Sequence, residues 1–220
     1  MTITALSFDC YGTLIDWEKG MRDAFQRVIS RRSLTVDVEQ MIRRYIEIEL
    51  EVEGETYRKY KDVLRISTRR LLEEMDMEPS ADDENVLVET LPRWPPFPET
   101  RETLKSLREK GLKLIILSNV DDDLIKGSVE LIGVEFDDII TAEQTRSYKP
   151  AYGHWLRMLE AHKLEKEQVI HVSASYVHDI IPASRLGFRT VWINRKNETP
   201  RGRPVHSYEF PDLSPLPTLF

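Results

Sequence analysis

The sequence has little cysteine and no long apolar run, and each of these shortages excludes a class of protein. The one cysteine among 220 residues, Cys10, rules out an internal disulfide and a metal site built from several thiolates. No apolar stretch approaches the length of a membrane span, and the first residues lack the charged and then apolar plan of a signal peptide. We therefore expect a soluble, cytoplasmic protein with no membrane partner.

A concentrated basic charge is missing as well. The chain carries 31 lysines and arginines against 38 aspartates and glutamates, which gives a net charge of -7. Its basic pairs, such as Arg31-Arg32 and Arg69-Arg70, lie among acidic residues, as is typical of a solvated helix face. Nucleic acid is therefore not an expected partner.

Most of the chain alternates between strand-like and helix-like patterns. After the first apolar run, ALSF, strand patterns recur at residues 112–119, 137–143, 168–175 and 190–195, and helical patterns separate them. Strands that alternate with helices are typical of a parallel sheet with helices on both faces. The sequence predicts an α/β fold of this Rossmann-like kind.

Residues 17–91 interrupt this alternation. They are rich in Arg, Glu, Leu and Met, and apolar residues such as Tyr60, Leu64 and Leu71 recur at helical spacing. The proline-dense segment that follows, LPRWPPFP, cannot continue a helix and marks the return to the main domain. We predict a core domain of residues 1–16 and 95–220 and an inserted helical cap domain of residues 17–94.

The first strand ends in a candidate nucleophile. Asp9 directly follows the apolar run, where open α/β sheets gather their ligands at the carboxyl ends of strands. Gly12 lets the backbone leave the strand sharply, and Thr13 offers a hydroxyl and an N–H that can hold a carboxylate. On this segment alone, a solvated aspartate in a turn is an equal alternative.

Polar residues also follow the later strands. Each has an ordinary interpretation by itself: a helix N-cap, a surface lysine, or an acid in the first turn of a helix. Their shared position at the ends of successive apolar strands favours one site together with Asp9. These residues are Ser118, Asn119, Lys149, Ser175 and Asp179.

With these residues in place, the whole chain resembles the haloacid dehalogenase superfamily, and within it the type II, L-2-haloacid dehalogenase-like branch. The phrases DCYGTL, SYKP and VWINR carry the resemblance. It implies a Rossmann-like core with an inserted helical cap, and a hydrolase in which Asp9 is the covalent nucleophile. It also implies a small carboxylic acid as substrate and is compatible with a homodimer.

The resemblance assigns a role to each matching residue. Lys149 would keep Asp9 ionised and aimed, while Ser118 and Asn119 would bind an anionic group of the substrate. Asp179, with Ser175 in the same motif, would hold Lys149 or position the water that hydrolyses the ester. Together these residues imply removal of the halide from a small 2-haloacid in two steps.

Two positions separate this chain from phosphatases of the superfamily. Tyr11 stands where those enzymes place the acid that protonates a departing alkoxide, and a halide needs no such proton. Ala174 occupies one common position of the acid that helps to hold Mg²⁺. The resemblance therefore implies no cofactor and no metal site, and Mg²⁺ enters only under the alternative of a small-molecule phosphatase.

Two further positions depart from well-matched dehalogenases. Ile46 aligns with their halide-binding cap arginine, so Arg43, or its neighbour Arg44, is the candidate substitute. His178 replaces a tryptophan and is either a site residue or a solvent-facing residue at the start of a helix. Hydrolytic ring opening of azetidine-2-carboxylate stays open as an alternative, because Tyr11 or His178 could protonate the departing nitrogen. A non-catalytic binding protein is the third hypothesis.

Overall fold

The computed structural model describes residues 2–200 and 202–220. Within these residues six parallel strands form one sheet in the order β3-β2-β1-β4-β5-β6. The strands are β1 (Ala5–Phe8), β2 (Lys113–Ser118), β3 (Asp138–Thr141), β4 (Val169–Ser173), β5 (Arg189–Ile193) and β6 (Tyr208–Phe210).

Ten α-helices lie within the described residues. They are α1 (Trp17–Arg32), α2 (Val38–Glu55), α3 (Tyr60–Glu74), α4 (Ala81–Glu84), α5 (Val86–Thr90), α6 (Thr100–Glu109), α7 (Leu124–Ile132), α8 (Ala142–Thr145), α9 (Gly153–His162) and α10 (Ile181–Leu186). Among these residues no helix combines the length and the apolar character needed to cross a bilayer.

The central strands are mostly apolar because both faces of the sheet are covered. In β2, Leu114 and Ile116 pack with α6 and α7 on one face, whereas Ile115 and Leu117 pack with α9 on the other. Successive side chains of a strand point to opposite faces, so this run supplies two hydrophobic cores. The predicted α/β fold with helices on both faces is confirmed.

The strand order places a crevice beside β1. Chain connections run from β1 toward β2 and β3 on one side and toward β4, β5 and β6 on the other. In such sheets ligands bind outside the carboxyl ends of the strands where the order reverses. Asp9 directly follows β1 at this point, and its backbone N–H donates to Val172 O of β4 at 3.0 Å.

Helices α1 to α5 form the inserted cap between β1 and β2. The chain leaves and re-enters the core side by side, because Asp16 N donates to Pro95 O at 2.8 Å and Phe97 N donates to Leu14 O at 3.0 Å. The inserted helical cap is thus present as predicted. The division at residues 16/17 and 94/95 stays a prediction.

A residue of the core domain, Asp121, acts as the N-cap of helix α3, which belongs to the inserted helical domain. The carboxylate of Asp121, in the loop after β2, accepts from Tyr60 N at 2.9 Å and from Lys61 N at 3.0 Å. Tyr148 OH donates to Arg58 O at 2.9 Å beside this contact. The start of α3 is therefore held by two loops at the carboxyl end of the sheet.

Candidate active site

The carboxylate of Asp9 is fixed through both of its oxygens. Thr13 Oγ1 donates to Oδ2 at 2.7 Å, and Lys149 Nζ donates to Oδ1 at 2.9 Å. Thr13 is itself held, because its hydroxyl accepts from Ala174 N after β4 at 2.8 Å. The turn after β1 therefore places Asp9 in one orientation, with its carboxylate on the cavity at the sheet edge.

Lys149 uses all three of its donors inside the protein. Its ammonium donates to Asp9 Oδ1, to Asp179 Oδ1 at 2.7 Å and to Leu117 O at 2.9 Å, and the residue is 2% exposed. A lysine ammonium has three N–H groups, so none is left for a further ligand. Lys149 therefore acts on Asp9 and Asp179 and does not offer a hydrogen bond to a substrate.

A buried chain of polar groups extends from Asp179 into the sheet. Asp179 Oδ1 also contacts Nε2 of His171 at 2.9 Å, and Nδ1 of His171 lies 2.9 Å from Ser7 Oγ. Ser7 and His171 face each other on β1 and β4. Sequence reasoning missed both residues, and the signal that could have found them is a polar residue inside an apolar strand.

The charges of Asp9, Lys149 and Asp179 depend on one another. Burial raises the pKa of Asp9, and the nearby charge of Asp179 adds to this rise, while Lys149 opposes it. Burial would likewise raise the pKa of Asp179, but Lys149 and His171 outweigh it and lower that pKa to about 2. Burial works against the charged form of Lys149, yet the two carboxylates raise its pKa overall. One ammonium thus stabilises two neighbouring carboxylates.

A cavity of about 640 Å³ opens above these groups between core and cap. It brings together most of the site residues predicted from the sequence: Asp9, Tyr11, Ser118, Asn119, Lys149, Ser175, His178 and Asp179. Thr13 lies beneath it and holds Asp9. The structure does not bring Arg43 to this cavity.

Arg43 is exposed and lies one helical turn before Ile46, which does line the cavity. Its neighbour Arg44 points to a different face of α2, where it pairs with Glu47 and Glu74. Neither arginine therefore replaces the missing cap arginine in this structure. At the cavity α2 therefore presents the apolar side chain of Ile46 and neither of these two arginines.

Ser118 and Asn119 follow β2 and have different surroundings. Ser118 Oγ is buried and has no hydrogen-bond partner among the described residues. The side chain of Asn119 is engaged, because its Nδ2 donates to Lys149 O at 3.0 Å and its Oδ1 accepts from Lys149 N at 2.7 Å. Asn119 thus braces the backbone of the lysine, and Ser118 keeps a free hydroxyl.

A short π-helical segment, Tyr176–Ile180, carries the groups that follow β4. Ser175 Oγ caps it by accepting from His178 N at 3.3 Å, and the same hydroxyl lies 3.2 Å from His178 Nδ1. Burial lowers the pKa of His178, so its imidazole is neutral at neutral pH. His178 lines the cavity rather than facing open solvent, and a neutral ring is suited to accept a proton.

Tyr11 lines the cavity but directs its hydroxyl elsewhere. Its OH lies 3.0 Å from Ser128 Oγ on α7, and its ring packs edge-on against Trp94 with centroids 6.0 Å apart. Burial raises the pKa of Tyr11 well above its ordinary value. The phenol is therefore a neutral wall residue.

Two acidic residues of the cap helix α2 line the same cavity. Glu49 and Glu53 lie one turn apart on α2, and neither was singled out from the sequence. A glutamate on a charged helix is typical of a solvated face, so no sequence pattern distinguishes these two from their exposed neighbours. Their facing Asp9 across the cavity is a finding of the structure.

One group of three acidic residues has the close spacing of metal ligands. Among the described residues, Asp121, Asp123 and Glu143 form the acidic group with the closest spacing, and none of them lines the cavity. They are occupied by the cap, since Asp121 caps α3 and Lys61 and Lys59 pair with the other two. Ala174 offers only its backbone to the cavity.

Comparisons with known proteins cover both the sheet and the cap. A family model described as haloacid dehalogenase-like hydrolase matches residues 3–187. Haloacetate dehalogenase H-2 of Moraxella sp. (strain B) is 29% identical over 195 residues, which is 88% of this chain and 86% of the relative. (S)-2-haloacid dehalogenase of Pseudomonas sp. (strain YL) is 29% identical over 206 residues, with 88% and 83% covered. The solved structure of L-2-haloacid dehalogenase from Xanthobacter autotrophicus gives a TM-score of 0.85 at 24% identity, covering 99% of this chain and 98% of that one.

Proposed function

Because the chain belongs to the haloacid dehalogenase-like hydrolase family, we propose that it removes the 2-substituent, in the first place a halide, from a small 2-substituted carboxylic acid. The reaction proceeds through an ester on Asp9. The observation that carries this proposal is the carboxylate of Asp9 on a cavity, oriented by Thr13 and Lys149. The relatives named above act on haloacetate and (S)-2-haloacids by their names, which supports the same substrate class here.

The first step is an in-line displacement at C2 of the substrate. One oxygen of Asp9 forms a bond to C2 while the bond from C2 to the halogen breaks, and the halide leaves with the electron pair. Thr13 and Lys149 keep the carboxylate ionised and aimed, so little motion is needed to reach the attack geometry. Ser118 lines the cavity and its buried hydroxyl has no partner among the described residues, so it would donate to the substrate carboxylate.

The second step hydrolyses the ester at the carboxyl carbon of Asp9. A water attacks this carbon, and one of its protons passes to the neutral ring of His178. The bond from the carbonyl carbon to the substrate oxygen then breaks, and His178 returns this proton to the departing alkoxide, while the second proton of the water is lost from the new Asp9 carboxyl. The 2-hydroxy acid leaves, Asp9 is again a carboxylate, and one proton is released to solvent in each turnover. C2 is attacked only once, so its configuration is inverted in the product.

We also propose that this displacement needs no metal ion. A halide leaves without protonation, and the charge of Asp9 is already balanced by Lys149. We expect wild-type protein in EDTA to release chloride from racemic 2-chloropropionate, to consume one enantiomer and to form lactate of the opposite configuration, as measured by chloride assay and chiral chromatography.

The phosphatase alternative makes the opposite forecast. It requires hydrolysis of p-nitrophenyl phosphate that depends on Mg²⁺ and stops in EDTA. If chloride release is absent and this phosphatase activity is present, the proposed function is wrong.

The acid side of the pH profile tests the state of Asp9. Only the ionised carboxylate attacks, so kcat/KM should fall as the pH drops through the pKa of Asp9. Since burial raises that pKa, the midpoint should lie above the ordinary value of 3.8. The same midpoint in His178→Asn would assign the fall to the carboxyl, and circular dichroism checks that the protein stays folded. A midpoint at or below 3.8 would contradict the buried, coupled arrangement.

A further inference from the structure

The cap lays two carboxyl groups over the site. Glu49 and Glu53 are four residues apart on α2, a spacing that puts them side by side on one helix face, and this face lines the cavity. Leu50 and Ile46 complete the same wall. This wall of the cavity is therefore apolar with two acids in it.

The carboxyl groups of Glu49 and Glu53 have oxygen atoms that accept no hydrogen bond within the described residues. Glu49 Oε1 accepts from Tyr60 OH at 2.9 Å and from Tyr45 OH at 3.1 Å. Within the described residues no cation pairs with Glu49 or Glu53, and the carboxylate of Glu53 has no hydrogen-bond donor. Exposed glutamates of the same helix, such as Glu55, do pair with arginines. Among the glutamates of α2, Glu49 and Glu53 are the ones without a counter-charge in the described residues.

The pKa values of Glu49 and Glu53 are both raised, as expected for buried carboxyl groups without a cation beside them. Burial raises the pKa of Glu49 to about 7, against the hydrogen bonds of the two tyrosines. Burial and the charge of Glu49 raise the pKa of Glu53 to about 8, and Lys149 only partly opposes this. An opposite charge within a few ångströms would favour the ionised forms.

The cations on the cavity cannot supply that charge. Each is already paired with a carboxylate in the described residues: Arg22, Lys149, Arg195 and Lys196. An added anion would therefore meet two unpaired carboxyl groups and no free cation. A positively charged group of a ligand would instead meet two carboxyl groups that have no cation beside them.

A second, independent observation concerns Ser118, which lines the same cavity and offers a hydrogen-bond donor. Ser118 is 1% exposed and is one of the residues that line the cavity with Asp9, and its buried Oγ has no hydrogen-bond partner among the described residues. This hydroxyl is placed to donate to an acceptor such as a carboxylate, since a buried polar group without a partner is costly. The cavity thus offers a donor at the sheet and acceptors at the cap.

We propose that the substrate is a zwitterion, a small 2-substituted carboxylic acid that also carries a protonated amine, and that Glu49 and Glu53 bind its ammonium group. This rests on the proposed function, because the ammonium is placed relative to a reacting carbon at Asp9. The pair selects for the amine and against simple haloacid anions of the same size.

The test compares two substrates that differ in one group. 2-Chloro-3-aminopropionate carries an ammonium where 2-chlorobutyrate carries a methyl, and both lose chloride from C2. We expect wild type to prefer the amine at least about 10-fold in kcat/KM, the effect of one charged hydrogen bond. Glu49→Gln combined with Glu53→Gln should remove this preference, mainly through KM, and should raise kcat/KM for 2-chlorobutyrate.

Two further variants separate binding from folding. Glu51→Gln makes the same chemical change on α2 at an exposed position and should keep the wild-type preference. Glu53→Asp keeps the charge and should retain part of the preference. No preference in wild type, or an unchanged preference in the double variant, would overturn the proposal.

The failure of this proposal can be told from failure of the proposed function. If 2-chlorobutyrate gives an Asp9 ester but the amine is not preferred, the zwitterion proposal falls and the proposed function stands. If neither acid gives an Asp9 ester, both fall.

Discussion

Asp9→Asn should lower kcat for chloride release by at least about 10³-fold, because an amide oxygen is a far weaker nucleophile than a carboxylate and the variant cannot form the ester. The change is isosteric, and the amide oxygen still accepts from Lys149, so the protein should fold. With enzyme in excess in ¹⁸O-labelled water, wild type should carry label in the peptide that contains Asp9, and the variant should carry none.

A matched control for this experiment is Asp16→Asn. Asp16 also lines the cavity and caps α1 through Lys19 N, and asparagine keeps such a cap. This variant should retain most of the activity and the labelling of Asp9. Wild-type turnover in Asp9→Asn, or label that enters the product without entering Asp9, would replace the covalent route by direct attack of water.

Lys149→Met should lower the stability of the protein as well as its activity. It removes the one ammonium between Asp9 and Asp179 and leaves two buried carboxylates together. Breaking a buried ion pair from one side costs about 3–5 kcal/mol, which denaturant unfolding at neutral pH would measure. At neutral pH, kcat/KM should fall at least about 10²-fold, because more of Asp9 is protonated and it is no longer aimed.

The pH dependence of this variant has a definite sign. Without Lys149 the pKa of Asp9 rises further above its unfolded value, so protonation favours the folded state. The loss of stability should therefore shrink as the pH falls through the raised pKa, and the acid limb of kcat/KM should move to higher pH. Lys105→Met, which removes an exposed pair with Glu102, should cost less than about 1 kcal/mol. An unmoved acid limb would show that Lys149 does not govern Asp9.

The parts of the fold that were predictable are those with a periodic apolar signal. Five of the six strands and the inserted helices follow from such runs, and the family and the hydrolase class that they suggested are confirmed. The sixth strand, Tyr208–Phe210, was missed. It is only three residues long, largely exposed and paired on one side only, so it has no apolar run to mark it. The π-helical turn at Tyr176–Ile180 was missed because an ordinary helix has the same composition.

The predictability of the site depends on where each residue lies. Asp9 directly follows β1, and Lys149 and Asp179 lie in the segments that follow β3 and β4; in a parallel sheet these segments lie at the same edge. The cap has no comparable rule. Whether Arg43 or Glu49 faces the core depends on how α2 is rotated, and on a helix rich in charge the sequence does not define that rotation. The cap acids therefore appeared only in the structure, and the predicted arginine did not reach the cavity.

The N-cap that Asp121 gives to α3 couples the position of the helical cap to the position of Lys149. Any displacement of the cap would strip two backbone N–H groups of their acceptor, at a cost of about 1 kcal/mol. The same displacement would release Tyr148, which precedes Lys149 and holds Arg58 O. Cap position and lysine position are thus thermodynamically linked, and a ligand that orders one must order the other.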